Sequence, residues 1–127
     1  MIYGTGIDTV KVSRIEMLFD RGYNLSRIYS ASELEYINTK KNSHKYQSAA
    51  GIFCAKEAFL KALGVGLEGY PLNEIQVDRD EKGKPFFELA GDTLENTNKK
   101  KLIFHLSITH DGDYAMAMAI AEQATVE

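Results

Sequence analysis

Between Ala49 and Leu63 the chain reads as one helix in which only Lys56, Glu57 and Lys61 carry charge. At about 100° per residue, Ala49, Ile52, Phe53, Leu60 and Leu63 form a broad apolar stripe. Phe59 lies beside it, and Ala55, Ala58 and Ala62 fill the back. A helix that is apolar nearly all round is a buried helix, so the rest of the chain has to wrap it. A charge on such a helix costs on the order of several kcal/mol unless it is paired or bound to something. A carboxylate and two ammonium groups here therefore call for partners. Gly64-Val65-Gly66 follows directly, a turn whose backbone can approach a ligand closely. A phosphate and metal site would need that combination.

The remaining segments supply the wrapping. Ile2 to Asp8 predicts a short strand in which Gly4 and Gly6 permit close backbone contact. Ser13 with Glu16 reads as a capping box for a helix from about Arg14, stopping at Arg21-Gly22. Ser30 with Glu33, or Ser32 with Glu35, caps a second short helix through Tyr36 and Ile37. After a polar loop the long helix runs from about Lys45 to Leu63. The second half changes character. Ile75-Gln76-Val77 and Pro85 to Leu89 form a hairpin around Gly83, and Asp92 to Lys100 is a weak polar helix. Leu102 to Thr109 alternates, with Leu102, Phe104, Leu106 and Ile108 on one face. Past the Asp111-Gly112 turn, Tyr114 to Ala121 sets Met116, Met118 and Ile120 against alanines, a face small enough for something, such as a helix, to pack very closely. Helices early and antiparallel strands late predict an α+β fold: one long buried helix and shorter helices on a small antiparallel sheet. With 127 residues and no repeat or linker, one domain spanning 1–127 is expected.

Bulk properties narrow the function. A net charge of -3 and a pI of about 5.6 argue against a nucleic-acid partner, which usually meets a basic surface. No apolar run approaches the ~20 residues of a membrane span, and Met1 to Gly4 does not read as a signal peptide. Cys54 is the one cysteine, set in the apolar helix as a small core residue. A reducing, cytoplasmic setting is the expectation.

Several side chains stand out, each with a plainer reading beside the chemical one. Glu57 and Lys61 are spaced as a helix ion pair, yet the apolar surroundings and the turn that follows favour a ligand. Lys56 projects from the apolar stripe, either as a lysine with a buried stem or as a ligand contact. Asp8 is a turn or capping aspartate, or with Glu57 a pair of hard oxygen ligands suited to Mg²⁺, which takes one or two carboxylates and leaves room for phosphates. No Cys/His cluster suggests zinc. His110 either bonds turn backbone or contacts a phosphate or shuttles protons. His105 reads as structural or interfacial, and His44 as solvated. Arg14, with Lys11 nearby, is solvated surface or a small basic dock for an acidic partner.

Gly6-Ile7-Asp8, Phe53-Cys54-Ala55-Lys56-Glu57-Ala58 with Lys61, Gly64-Val65-Gly66, Gly83-Lys84-Pro85 and Ser107-Ile108-Thr109-His110, in this order, closely resemble the bacterial holo-acyl-carrier-protein synthases. Those are the small members of the 4′-phosphopantetheinyl transferase superfamily. The resemblance runs from Met1 to about Ala121 and implies the phosphopantetheinyl transferase fold. It implies transfer of 4′-phosphopantetheine from coenzyme A to a serine of apo-acyl carrier protein, releasing adenosine 3′,5′-bisphosphate, for fatty acid biosynthesis. It implies Mg²⁺ on Asp8 and Glu57, with Lys61 at the pyrophosphate. Lys56, Gly64, Gly66 and His110 would serve the coenzyme A side, and Arg14 the acidic recognition helix of the carrier. It further implies a homotrimer with coenzyme A between subunits, which would account for exposed apolar strand faces and the alanine-lined last strand. The chain departs from the family pattern at Ile52, usually arginine, at Val65, usually threonine, and at Cys54, usually alanine. Two other classes remain open: a trimeric module that binds coenzyme A or another nucleotide without catalysis, as a sensor or scaffold, and a hydrolase of nucleotide pyrophosphates.

Overall fold

In the computed structural model, which describes residues 1–66 and 69–124, the elements run as follows. They are β1 (Ile2–Lys11), α1 (Val12–Asp20), α2 (Ala31–Asn38), α3 (Ser43–Leu63), β2 (Ile75–Arg79), β3 (Pro85–Leu89), α4 (Gly91–Lys99), β4 (Leu102–Asp111) and β5 (Tyr114–Gln123). Single 3₁₀ turns at Leu25–Arg27 and Leu72–Glu74 lie between them. Three long strands form an antiparallel sheet in the order β1-β5-β4, and β2 and β3 form a separate antiparallel hairpin. α3 lies across one face of the sheet, against β1 and β5, while α1, α2 and β2 pack on its other sides. The fold is α+β, with the long helix as its core.

Small residues set how closely α3 approaches the sheet. Ala115, Ala117, Ala119 and Ala121 of β5 are all buried on the helix side. On β1 the approach is closer still: a Cβ at Gly4 or Gly6 would collide with the backbone carbonyl oxygens of Ala62 and Ala58. β1 and α3 therefore touch backbone to backbone, which only glycine allows. The alanine face of β5 is thus covered by the chain's own helix; it is not left bare for a second subunit. The opposite face is the exposed one. Ile7 pairs with Met118 in register, and Ile7, Met116, Met118 and Ile103 are exposed on that side. At the far end of α3, Phe59 stacks on Phe104 with ring centroids 4.4 Å apart and on Phe87 at 5.1 Å, fixing the β2–β3 hairpin to helix and sheet.

Some boundaries differ from expectation. β1 continues three residues beyond Asp8 and passes straight into α1, so Lys11 occupies the N-cap position and the Ser13–Glu16 capping box does not form. The Val12 N–H instead donates to the Asp113 carbonyl at 2.8 Å, so the β4–β5 turn starts this helix. α3 begins at Ser43 rather than Lys45, behind Asn42 with φ 57°. The Ser30–Glu33 capping box is present, with Glu33 N–H donating to Ser30 Oγ at 3.2 Å and Ser30 N–H to Glu33 Oε1 at 2.8 Å.

Glu33 has a second task, and it corrects the reading of Lys56. Lys56 is completely buried, its Nζ 2.7 Å from Glu33 Oε1 and 2.7 Å from the Leu72 carbonyl. Glu33 Oε2 accepts from Val77 N–H at 2.8 Å. Lys56 is a core residue joining α2, α3 and the approach to β2, and it presents no surface to a coenzyme. Burial pulls its amine below the usual lysine range, and the Glu33 carboxylate pushes back.

Candidate active site

The glycine contact between β1 and α3 creates the site. Inward-facing positions of β1 alternate Gly4, Gly6, Asp8, so the strand that must hold small residues ends its close approach with a carboxylate against the helix. Glu57 and Lys61 are one turn apart on α3 and meet Asp8 there. Lys61 Nζ donates to the Ile7 carbonyl at 2.9 Å and to Asp8 Oδ1 at 3.3 Å. The Asp8 side chain is 17% exposed and that of Lys61 54%, so the corner opens to solvent on the lysine side. Partial burial raises the Glu57 carboxyl above the ordinary range, the nearby Asp8 charge adds to this, and Lys61 opposes it. Such a carboxylate pair carries more negative charge than its lysine offsets and has the chemistry of a cation site.

Cys54, one turn ahead of Glu57, backs the corner from inside. Its thiol is buried, donates to the Ala115 carbonyl at 3.4 Å, and is pushed up to about 12 by burial and by Asp8. It is an inert packing group. Past the end of α3, Gly64 adopts a left-handed conformation with φ 76°; Gly64 N–H donates to Lys61 O and Val65 N–H to Leu60 O. Among the described residues a Cβ at Gly64 or Gly66 would meet nothing within 4 Å, so this backbone stands open to them beside Lys61.

Two further residues lie elsewhere. His110 pairs in register with Ala115, which pairs with Val10, so β4 and β1 stand about two strand spacings, ~10 Å, apart. Its Nε2 lies 3.0 Å from the Gln47 carbonyl, which accepts its proton, over a helix surface kept clear by Gly51. Within one chain His110 is not part of the Asp8 corner. Arg14 is exposed on α1 and lines a surface groove with Met17, Leu18, Arg21 and Tyr23. In the sequence Arg21 reads only as part of a helix stop, and its spacing of two helical turns from Arg14 is the signal that links the two. Among the described residues no group of three or more His, Cys, Asp or Glu side chains could hold a metal by itself, and no helix is long and apolar enough to cross a membrane.

Known proteins share this fold. Residues 4–119 match the family model described as ACPS, 4′-phosphopantetheinyl transferase superfamily. The holo-[acyl-carrier-protein] synthase of Treponema denticola is 44% identical over 123 residues, covering 96% of this chain and 99% of the relative. Among solved structures, the holo-[acyl-carrier-protein] synthase from Neisseria meningitidis superposes with a TM-score of 0.88 at 30% identity, over 97% of this chain and 100% of the other. A holo-(acyl-carrier-protein) synthase from Bacillus anthracis, solved in complex with CoA (3′,5′-ADP), gives 0.83 at 33% identity, over 98% and 99%. The fold is thus shared over nearly the whole length, and the chain belongs to the holo-acyl-carrier-protein synthases of the 4′-phosphopantetheinyl transferase superfamily.

Proposed function

We propose that the chain transfers 4′-phosphopantetheine from coenzyme A to a serine of apo-acyl carrier protein, in the cytoplasm and in the service of fatty acid biosynthesis. The observation that carries this reading is the convergence of Asp8, Glu57 and Lys61 beside the open Gly64–Gly66 backbone. Two hard oxygen donors, partly buried and short of positive charge, fit Mg²⁺, which typically leaves its other positions to water and phosphates. Asp8 and Glu57 would hold that ion, and when bound it supplies charge neutralisation at the pyrophosphate. The exposed ammonium of Lys61 meets the same pyrophosphate, and the open turn lets phosphate oxygens approach the backbone. In the reaction the serine oxygen forms a bond to the phosphorus that bears pantetheine. The bond from that phosphorus to the oxygen bridging it to the adenosine 5′-phosphate breaks, and adenosine 3′,5′-bisphosphate leaves. Positioning and charge, rather than covalent help from the protein, carry such a transfer.

The carrier side is read from α1. Arg14 and Arg21 flank the apolar surface of Met17 and Tyr23, a groove suited to an acidic helix with an apolar stripe. Arg14→Ala is expected to raise the KM for carrier protein by about tenfold while leaving the KM for coenzyme A unchanged. Steady-state kinetics with each substrate varied in turn checks this, and equal KM values for carrier protein would refute the docking role.

The exposed outer face of the sheet supports a homotrimer with coenzyme A shared between neighbouring subunits. That arrangement would give His110, distant from its own Asp8, a coenzyme A site to serve across the interface. Met118→Lys places a charge at the middle of that face and is expected to yield monomers by light scattering; an unchanged mass would move the interface elsewhere.

Incubation with coenzyme A, Mg²⁺ and apo-carrier protein tests the function as a whole. A mass gain of about 340 Da on the carrier, the phosphopantetheinyl group, is expected. Coenzyme A binding with no gain would leave a non-catalytic module, and cleavage of coenzyme A without acceptor would mark a pyrophosphate hydrolase.

A further inference from the structure

A lysine four residues after a glutamate on a helix ordinarily pairs with it. Lys61 does otherwise: its ion pair is with Asp8 on the neighbouring strand, at 3.3 Å, rather than with Glu57. The 2.9 Å hydrogen bond to the Ile7 carbonyl holds the ammonium in that place, on the same strand that carries Asp8. The amine thus lies against one of the two carboxylates that would receive a divalent cation. Its side chain remains 54% exposed, so it can leave without disturbing the core. Two cations on one carboxylate repel one another: a unit charge pair at ~4 Å is worth about 1 kcal/mol in water and more in less polar surroundings.

We propose that Lys61 is the resident counter-ion of Asp8, displaced when a divalent cation binds and then captured by the pyrophosphate of coenzyme A. This rests on the reading of Asp8 and Glu57 as the metal ligands. The exchange makes metal and coenzyme mutually reinforcing. Metal alone has to displace an ammonium that gains no new partner, so it binds weakly. With pyrophosphate present, the displaced ammonium has an anion to go to, and the metal binds more tightly. By linkage the metal then tightens coenzyme A by the same factor. Lys61 has the length and rotatable donors for both positions.

The test is Mn²⁺ binding followed by the electron paramagnetic resonance of the free ion, without coenzyme A, on the full chain. Lys61→Met is expected to bind Mn²⁺ about tenfold more tightly than wild type, because the competing charge is gone. Lys61→Arg, which keeps charge and reach, should bind as wild type does. Lys11→Met, which removes a positive charge three residues from Asp8 on the same strand without touching it, should also match wild type. Equal or weaker Mn²⁺ binding by Lys61→Met overturns the exchange, and so does tightening of the same size in Lys11→Met. A separate arm isolates the metal reading: in the presence of coenzyme A, Asp8→Asn should lose Mn²⁺. Retention there would remove the metal site itself and the exchange with it. Loss there, combined with no effect of Lys61→Met, would sink only the exchange.

Discussion

Glu57→Gln is expected to cut phosphopantetheine transfer by about a hundred- to a thousandfold, and at the same time to make the metal-free protein slightly more stable at neutral pH. The two effects have one origin. Burial and then Asp8 raise the Glu57 carboxyl above its unfolded value. A carboxyl shifted upward favours the fold below the unfolded pKa and loses that contribution as pH rises through the folded pKa. At neutral pH the charged side chain is therefore a cost to the apo fold, one that the proposed cation would offset. Glutamine keeps the shape and removes the charge. Melting temperatures at pH 7 should thus rank Glu57→Gln above wild type without metal. Millimolar Mg²⁺ with coenzyme A should raise the wild type through binding linkage and leave the variant behind. A variant that melts lower than wild type without metal, or that gains the same Mg²⁺ increment, would contradict this account of the corner.

Lys56→Ala is expected to destabilise the chain by about 3–5 kcal/mol, lowering Tm by roughly 10 °C or more. The lysine itself gains little from burial, since desolvation is the larger influence on its amine. The cost of removing it lies in what stays behind. Glu33, whose side chain is 1% exposed, would lose its ammonium partner, and the Leu72 carbonyl would lose its donor. An unpaired buried charge is far more costly than the pair is favourable. Urea denaturation checks the magnitude. A loss below about 1 kcal/mol would mean that water reaches Glu33 once the lysine is gone. Because Lys56 directly precedes Glu57, its tether to α2 also holds the rotation of α3 that presents Glu57 to Asp8.

The contrast between these two neighbours shows what the sequence could and could not display. The helix from Ala49 to Leu63 announced its burial through composition, and the glycines at 4 and 6 and the alanines of β5 announced a close packing partner. That partner is α3 in both cases. Glu57 and Lys61 stood out because a buried helix gives charges no ordinary reason to be there, and the structure brings both beside Asp8. The same argument asked for a partner for Lys56, which the resemblance put on the coenzyme A side and the structure gives to Glu33. Its partner, Glu33, already had a sufficient local role in the Ser30 capping box, and nothing in one-dimensional spacing says that a capping carboxylate also turns inward. The Ser13–Glu16 box failed for a related reason. Its pattern is correct for a helix start, but the strand before it has no break, and the helix is begun by Asp113 from the far end of the chain. Local signals located the elements; contacts between distant segments decided which side chains were left for chemistry.

The most direct measurement is carrier-protein loading by wild type and Asp8→Asn side by side, read as intact mass of the carrier after each has been shown to melt cooperatively. The account predicts a gain of about 340 Da with wild type, dependent on Mg²⁺ and coenzyme A, and none with Asp8→Asn on the same time scale. Loading of the carrier by Asp8→Asn at the wild-type rate would contradict it.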